Sequence, residues 1–226
     1  NGLVTKNPFD GIASEMPKFN YQDNPNPQAF SKDQVEAIIK AFKEHQGNFN
    51  GRGMTGISYA HYAPLVEFWF KTGCRPSEAI GLRWENVSLD CSIITFCCSI
   101  VSCHGRNISV NKSKNNRTRK FPCSESLRTL LLSIRPNDYN PDDLVFPSPS
   151  GKPVNYTNFS KRAWKTIVNP IKPNTTPYSC RDTFITNQIV CGAPETAIAK
   201  WTDTSVEMIE KHYADVLKLD AIRPVD

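Results

Sequence analysis

The chain has 226 residues, with 39% hydrophobic and 22% charged side chains. This is ordinary globular composition for one or two domains, and no apolar run approaches the ~20 residues of a membrane-spanning helix. The formal charge of +5 and the pI of about 8.7 permit a polyanionic partner without requiring one.

Residues 1–29 carry Pro8, Pro17, Pro25 and Pro27 among Asn, Asp and Gly, which is the composition of a linker. The first residue is Asn1 and no signal peptide follows it. We therefore expect a missing N-terminal partner domain, a folded domain over 30–216, and a tail over 217–226. Ser31 is a suitable N-cap, and Val35, Ile38, Ile39 and Phe42 recur at helical spacing behind it. A second helical run covers 58–71, with Gly73 as its stop. A short helix is expected from Ser77 to Leu82.

The period then changes. Ile93–Cys97, Ile100–Val101, Ile108–Val110 and Arg119–Phe121 favour extended chain, with a turn at Lys114–Arg117. This predicts an antiparallel sheet of about three strands. Helices return at Glu125–Ile134 behind Ser124, at Asn155–Ile167, and at Arg181–Cys191 before Gly192. Two more run from Pro194 to about Trp201 and from Ser205 to Tyr213. The fold class is α+β: mostly helical, with one small three-stranded antiparallel sheet.

Lys112, Lys114, Arg117, Arg119 and Lys120 fall close together, with Arg106 just before them. Such a run reads either as a solvated basic loop or as a loop that neutralises phosphates. The eight cysteines fit reduced thiols, and Cys97-Cys98…Cys103-His104 lacks the spacing of paired zinc-ligand motifs.

Three segments carry chemistry. They are Thr72-Gly-Cys-Arg75-Pro-Ser-Glu-Ala-Ile-Gly-Leu-Arg-Trp84, Pro177-Tyr-Ser-Cys-Arg181-Asp-Thr-Phe184, and Thr204-Ser-Val-Glu-Met-Ile-Glu-Lys-His-Tyr213. Two arginines can clamp a phosphate through planar, permanently charged donor forks. A tyrosine can attack that phosphate and form a covalent intermediate. Taken singly, Arg75 also reads as a structural arginine paired with Glu78, and Tyr213 as a half-buried aromatic at a helix end.

Together these segments, over residues 30–216, resemble the catalytic domain of the tyrosine recombinase, or phage integrase, family. The first resembles the pattern T-G-x-R-x-x-E-x-x-x-L-x-W, and the second resembles H-x-x-R-H-T-F. Tyr178 stands at the usual first His and Asp182 at a frequent second His. Thr204 stands nine residues before the tyrosine, at a usual His or Trp, with Trp201 three residues earlier. The family's hairpin lysine falls on Lys114, with Lys112 and Lys120 close by.

The resemblance implies a site-specific recombinase that breaks and rejoins double-stranded DNA without metal or other cofactor. It implies Arg75 and Arg181 on the scissile phosphate, with Tyr178 and Thr204 adding neutral donors. Tyr213 is then the nucleophile of a 3′-phosphotyrosine, and Lys114 the acid for the leaving 5′ oxygen. It further implies a tetramer on DNA, in the cytoplasm of a bacterium or encoded by a phage. The general base stays open, with Tyr178 and His212 both weak in that role. A catalytically inactive DNA-binding protein and a type IB topoisomerase-like enzyme remain alternatives.

Overall fold

The computed structural model describes residues 28–49, 54–55, 58–103, 106–110 and 118–217. Most of the expected linker and tail, the turn at 114–117 and Lys114 itself lie outside the described residues.

Helix α1 spans Lys32–Glu44 and starts where the sequence places it. Ser31 Oγ accepts from the Gln34 N–H at 3.3 Å, and Gln34 Oε1 accepts from the Ser31 N–H at 3.0 Å. This reciprocal cap satisfies two donors that the first turn would leave unpaired. A 3₁₀ turn at Ala60–Tyr62 leads into α2, Ala63–Thr72. Helix α2 is the hub of the domain, packed against α1, the short helix α3 (Pro76–Ile80), α4 (Glu125–Ile134) and α7 (Ser179–Val190). Leu65, Val66, Phe68 and Trp69 on it are almost fully buried. Each large side chain so placed contributes roughly 1.5–3 kcal/mol relative to exposure.

Gly73 ends α2 with φ +59, in the left-handed region. A Cβ there would stand 2.5 Å from Phe184 Cδ1. Only glycine meets both demands, so Gly73 fixes how closely α2 approaches α7.

The β-structure is antiparallel but divided differently from the expectation. Strands β1 (Asn48–Phe49) and β2 (Met54–Thr55) pair with each other. Strand β3 (Ile93–Phe96) pairs with β6 (Arg119–Pro122), and β4 (Ser99–Cys103) with β5 (Arg106–Val110). Among the described residues these are two-stranded ladders, where one three-stranded sheet is expected. The chain leaves extended pairing at Cys97 and Cys98, where Cys97 Sγ lies 2.7 Å from Asn86 Oδ1.

The helix expected over 155–167 is present with one irregularity. It runs as α5 (Tyr156–Phe159), a π turn (Ser160–Trp164) and α6 (Lys165–Val168). Phe159 and Trp164 are five residues apart, a spacing that regular α-helix would splay to different faces. The wider turn lets both bury. Helices α7, α8 (Glu195–Thr202) and α9 (Val206–Leu217) close the domain and pack on one another. Among the described residues, no helix is long and apolar enough to cross a membrane.

Candidate active site

Arg75 precedes Pro76, the first residue of α3, and its N–H donates to Glu78 Oε2 at 2.7 Å. Its guanidinium reaches across the fold to the end of α8. Nη1 donates to Asp203 Oδ2 at 2.5 Å, and Nη2 donates to the Asp203 carbonyl at 2.7 Å. Burial opposes the Arg75 charge. The Asp203 hydrogen bond and the charges of Glu78 and Asp203 outweigh it, so the net shift is upward.

Arg181 lies in the first turn of α7 and is 8% exposed. Its Nη1 donates to the Gly73 carbonyl at 2.9 Å and to the Thr202 carbonyl. Both carbonyls sit at helix C-terminal ends, where the helix dipole favours a cation. Burial, and then the neighbouring Arg75, lower the Arg181 pKa from its ordinary value. The two guanidinium groups thus rest on consecutive residues, Thr202 and Asp203. A repulsive pair is held there before any substrate arrives.

Behind them lies a second layer. Glu78, 2% exposed, receives Arg119 Nη1 on Oε1 at 2.6 Å and Nη2 on Oε2 at 2.8 Å. Arg119 also donates from Nε to the Trp201 carbonyl at 2.9 Å and lies over the Phe96 ring at 4.3 Å. The sequence groups Arg119 with a basic run that reads either as a solvated loop or as one that neutralises phosphates. The structure corrects this: Arg119 is buried, and it ties β6 to α3 and α8.

Tyr213 is buried on α9, at the one residue of that helix with non-helical backbone angles (φ −125, ψ 20). Its hydroxyl donates to Asp182 Oδ1 at 2.9 Å. Burial, and then the Asp182 charge and hydrogen bond, push its pKa well above the ordinary phenol value, against a smaller opposing effect of Arg181. Tyr213, Asp182, Arg181, Tyr178, Thr204 and His212 line one open cleft of about 420 Å³. Tyr178 is 45% exposed at the start of α7 and interacts electrostatically with both Arg75 and Arg181. Thr204 is half-buried, and its N–H donates to the Ala199 carbonyl at 3.1 Å.

Five of the six residues singled out from sequence therefore stand around one region, and Lys114 lies outside the described residues. Trp201 points elsewhere and packs edge-on against Phe121 at 6.3 Å. Sequence reasoning did not find Asp203, the partnership of Asp182 with Tyr213, or Arg119 as the counter-ion of Glu78. Glu78 three positions after Arg75 was a legible signal. Asp203 had none, because its partner is 128 residues away. Among the described residues, no group of three or more His, Cys, Asp or Glu could hold a metal ion.

Comparison with solved structures finds the same architecture. The Tn1549 transposon integrase, solved with transposon right end DNA, aligns with TM-score 0.69 and 17% identity. The alignment covers 96% of this chain and 73% of that one. XerA recombinase gives TM-score 0.61 and 16% identity over 96% and 72%. The catalytic domain of bacteriophage HP1 integrase gives 0.52 and 14% over 82% and 86%. At these identities the likeness concerns the fold. Comparison with curated protein sequences gave no match. The family profile described as "Phage integrase family" matches residues 28–219. With that profile over most of its length, the chain belongs to the phage integrase family of site-specific DNA recombinases.

Proposed function

We propose that the cleft between α7 and α9, with Arg75 at Asp203 beside it, is where this recombinase breaks and rejoins DNA strands, and that the residues divide the work as follows. Arg75 and Arg181 hold the scissile phosphate and offset the charge that grows on its non-bridging oxygens. Each well-placed donor is worth about 3 kcal/mol in the transition state. The hydroxyls of Tyr178 and Thr204 add neutral donors. Tyr213 Oη attacks phosphorus, the bond to the 5′ oxygen breaks, and a 3′-phosphotyrosine remains. Lys114 gives the departing 5′ oxygen its proton. A 5′ hydroxyl from a second DNA end then reverses the step, so the energy of the broken bond is kept.

The observation that carries this reading is that Arg181 and Tyr213 line one cleft while Arg75, from a third distant segment, is held on Asp203, next to the Thr202 carbonyl that holds Arg181. The DNA-bound Tn1549 integrase supports double-stranded DNA as the partner. Strand exchange between two sites requires several active sites, which supports assembly as a tetramer on DNA. Such an enzyme works where the DNA is, in a bacterial cytoplasm at the nucleoid.

The test is trapping on a nicked suicide substrate. The wild-type chain accumulates a covalent protein–DNA adduct and Tyr213→Phe does not. An adduct in Tyr213→Phe sinks the nucleophile assignment. Lys114→Ala is rescued by a 5′-bridging sulfur, which leaves without protonation, and failure of that rescue removes the acid role. Absence of any adduct favours an inactive DNA-binding protein, and supercoil relaxation without paired sites favours a topoisomerase.

A further inference from the structure

Resting on that reading, we infer that Asp182 is the general base that takes the proton from Tyr213. The hydroxyl of Tyr213 is buried and donates to Asp182, and burial, then the Asp182 charge, raise its pKa, which disfavours a free phenolate. The proton has to leave during the attack, to a group already in contact. Asp182 Oδ1 accepts a hydrogen bond from that hydroxyl at 2.9 Å, within the range for direct transfer. Its other oxygen, Oδ2, accepts the Gln28 N–H at 3.3 Å, which fixes the carboxylate.

The neighbouring groups do not compete. Arg181 is a permanent cation with donors only. Cys180 is fully buried, with its thiol pushed well above the ordinary value. Tyr178 is itself a phenol and is exposed. His212 lines the same cleft from α9, but the Tyr213 hydroxyl donates to Asp182 and not to it. Arg181 and Asp182 are consecutive on α7, so the same turn of helix carries a phosphate donor and the proton acceptor.

In the step, the Tyr213 O–H bond breaks and its proton passes to Asp182 Oδ1. The Oη–phosphorus bond forms, and the bond from phosphorus to the 5′ oxygen breaks. The 5′ oxygen takes a proton from the general acid. On religation Asp182 returns its proton to Tyr213, and no other reactant is consumed.

The experiment measures the rate of adduct formation by the full chain on a nicked suicide substrate across pH, for wild type and for D182N, D182E and D182H. Thermal melting and DNA retention in gels are checked for each. D182N should bind DNA, form adduct about 10²- to 10⁴-fold more slowly, and lose the fall in rate on the acid side. D182E should keep that fall. D182H should recover part of the rate and move the fall upward, toward about 6.5, the ordinary imidazole value. The inference is overturned if D182N reacts as fast as wild type or faster. It is equally overturned if D182N or D182H is slow with an unchanged pH profile, because that marks a merely structural role. Where D182N fails to fold, D182H alone decides through the position of its acid-side fall. The underlying reading fails differently: wild type then gives no adduct, or Tyr213→Phe gives one, and the inference falls with it.

Discussion

Glu78 and Arg119 meet as a two-bond fork, Oε1 to Nη1 at 2.6 Å and Oε2 to Nη2 at 2.8 Å, with both residues buried. Removing one charge leaves the other buried without its partner, which costs far more than the pair contributes net. Glu78→Gln should therefore destabilise the domain by roughly 3–5 kcal/mol. Urea unfolding measures this. A loss under about 1 kcal/mol would mean that water reaches Arg119.

Gly73 offers a second handle. Gly73→Ala forces an L-residue into the left-handed region, at about 1–2 kcal/mol, and drives its Cβ into Phe184. Overpacking adds about 1–3 kcal/mol. The same carbonyl holds Arg181, so adduct formation should fall beyond what instability explains. Phe184→Leu in the Gly73→Ala background should recover part of the stability, and no recovery would place the damage in the backbone alone.

Asp90 supplies a pH signature. Hydrogen bonds from the Ser88 hydroxyl, then from the Ser92 hydroxyl and N–H, lower its pKa to about 2. A depressed carboxylate stabilises the fold above its unfolded value of about 3.9 and loses that contribution as pH falls through its folded value. Urea midpoints should therefore drop between about pH 4 and pH 2. Asp90→Asn should flatten that part of the profile, and an unchanged slope would assign the loss to other carboxylates.

The thiols should separate by accessibility. Cys191 is exposed and should react with an aromatic disulfide reagent in the native protein. Cys74 is buried and its thiol is pushed up to about 12, chiefly by burial, while Cys180 is buried beside it. Both should react only on unfolding, since the thiolate is the reactive form. Mass spectrometry of labelled peptides reads this directly, and native labelling of Cys74 would show that the α2–α3 junction opens.

Local signals were legible in the sequence because their causes are local. Ser31 and Ser124 cap the helices that follow them, and Gly73 takes the left-handed turn that ends α2. Motif spacing likewise brought out Arg75, Arg181 and Tyr213. Contacts made only by folding were not legible. Asp182 meets Tyr213 across 31 residues, and nothing near either residue announces it. Arg119 looked like its basic neighbours until β3 and β6 paired and turned it inward. The division of the sheet at Cys97 and Cys98 escaped for the same reason, since strand propensity continues across it.

The carboxylate of Asp203 on Arg75 has one more consequence. At formal charge, Arg75, Arg119 and Arg181 are matched by Glu78, Asp182 and Asp203, so this inner cluster is neutral overall. If Arg75 meets the phosphate as proposed, that phosphate displaces an anion already there instead of filling an empty positive hole. On that reading docking is an anion exchange at Arg75. Long-range attraction to DNA has to come from charges outside the cluster, and the site can stay closed to stray phosphate until a correctly placed strand displaces its occupant.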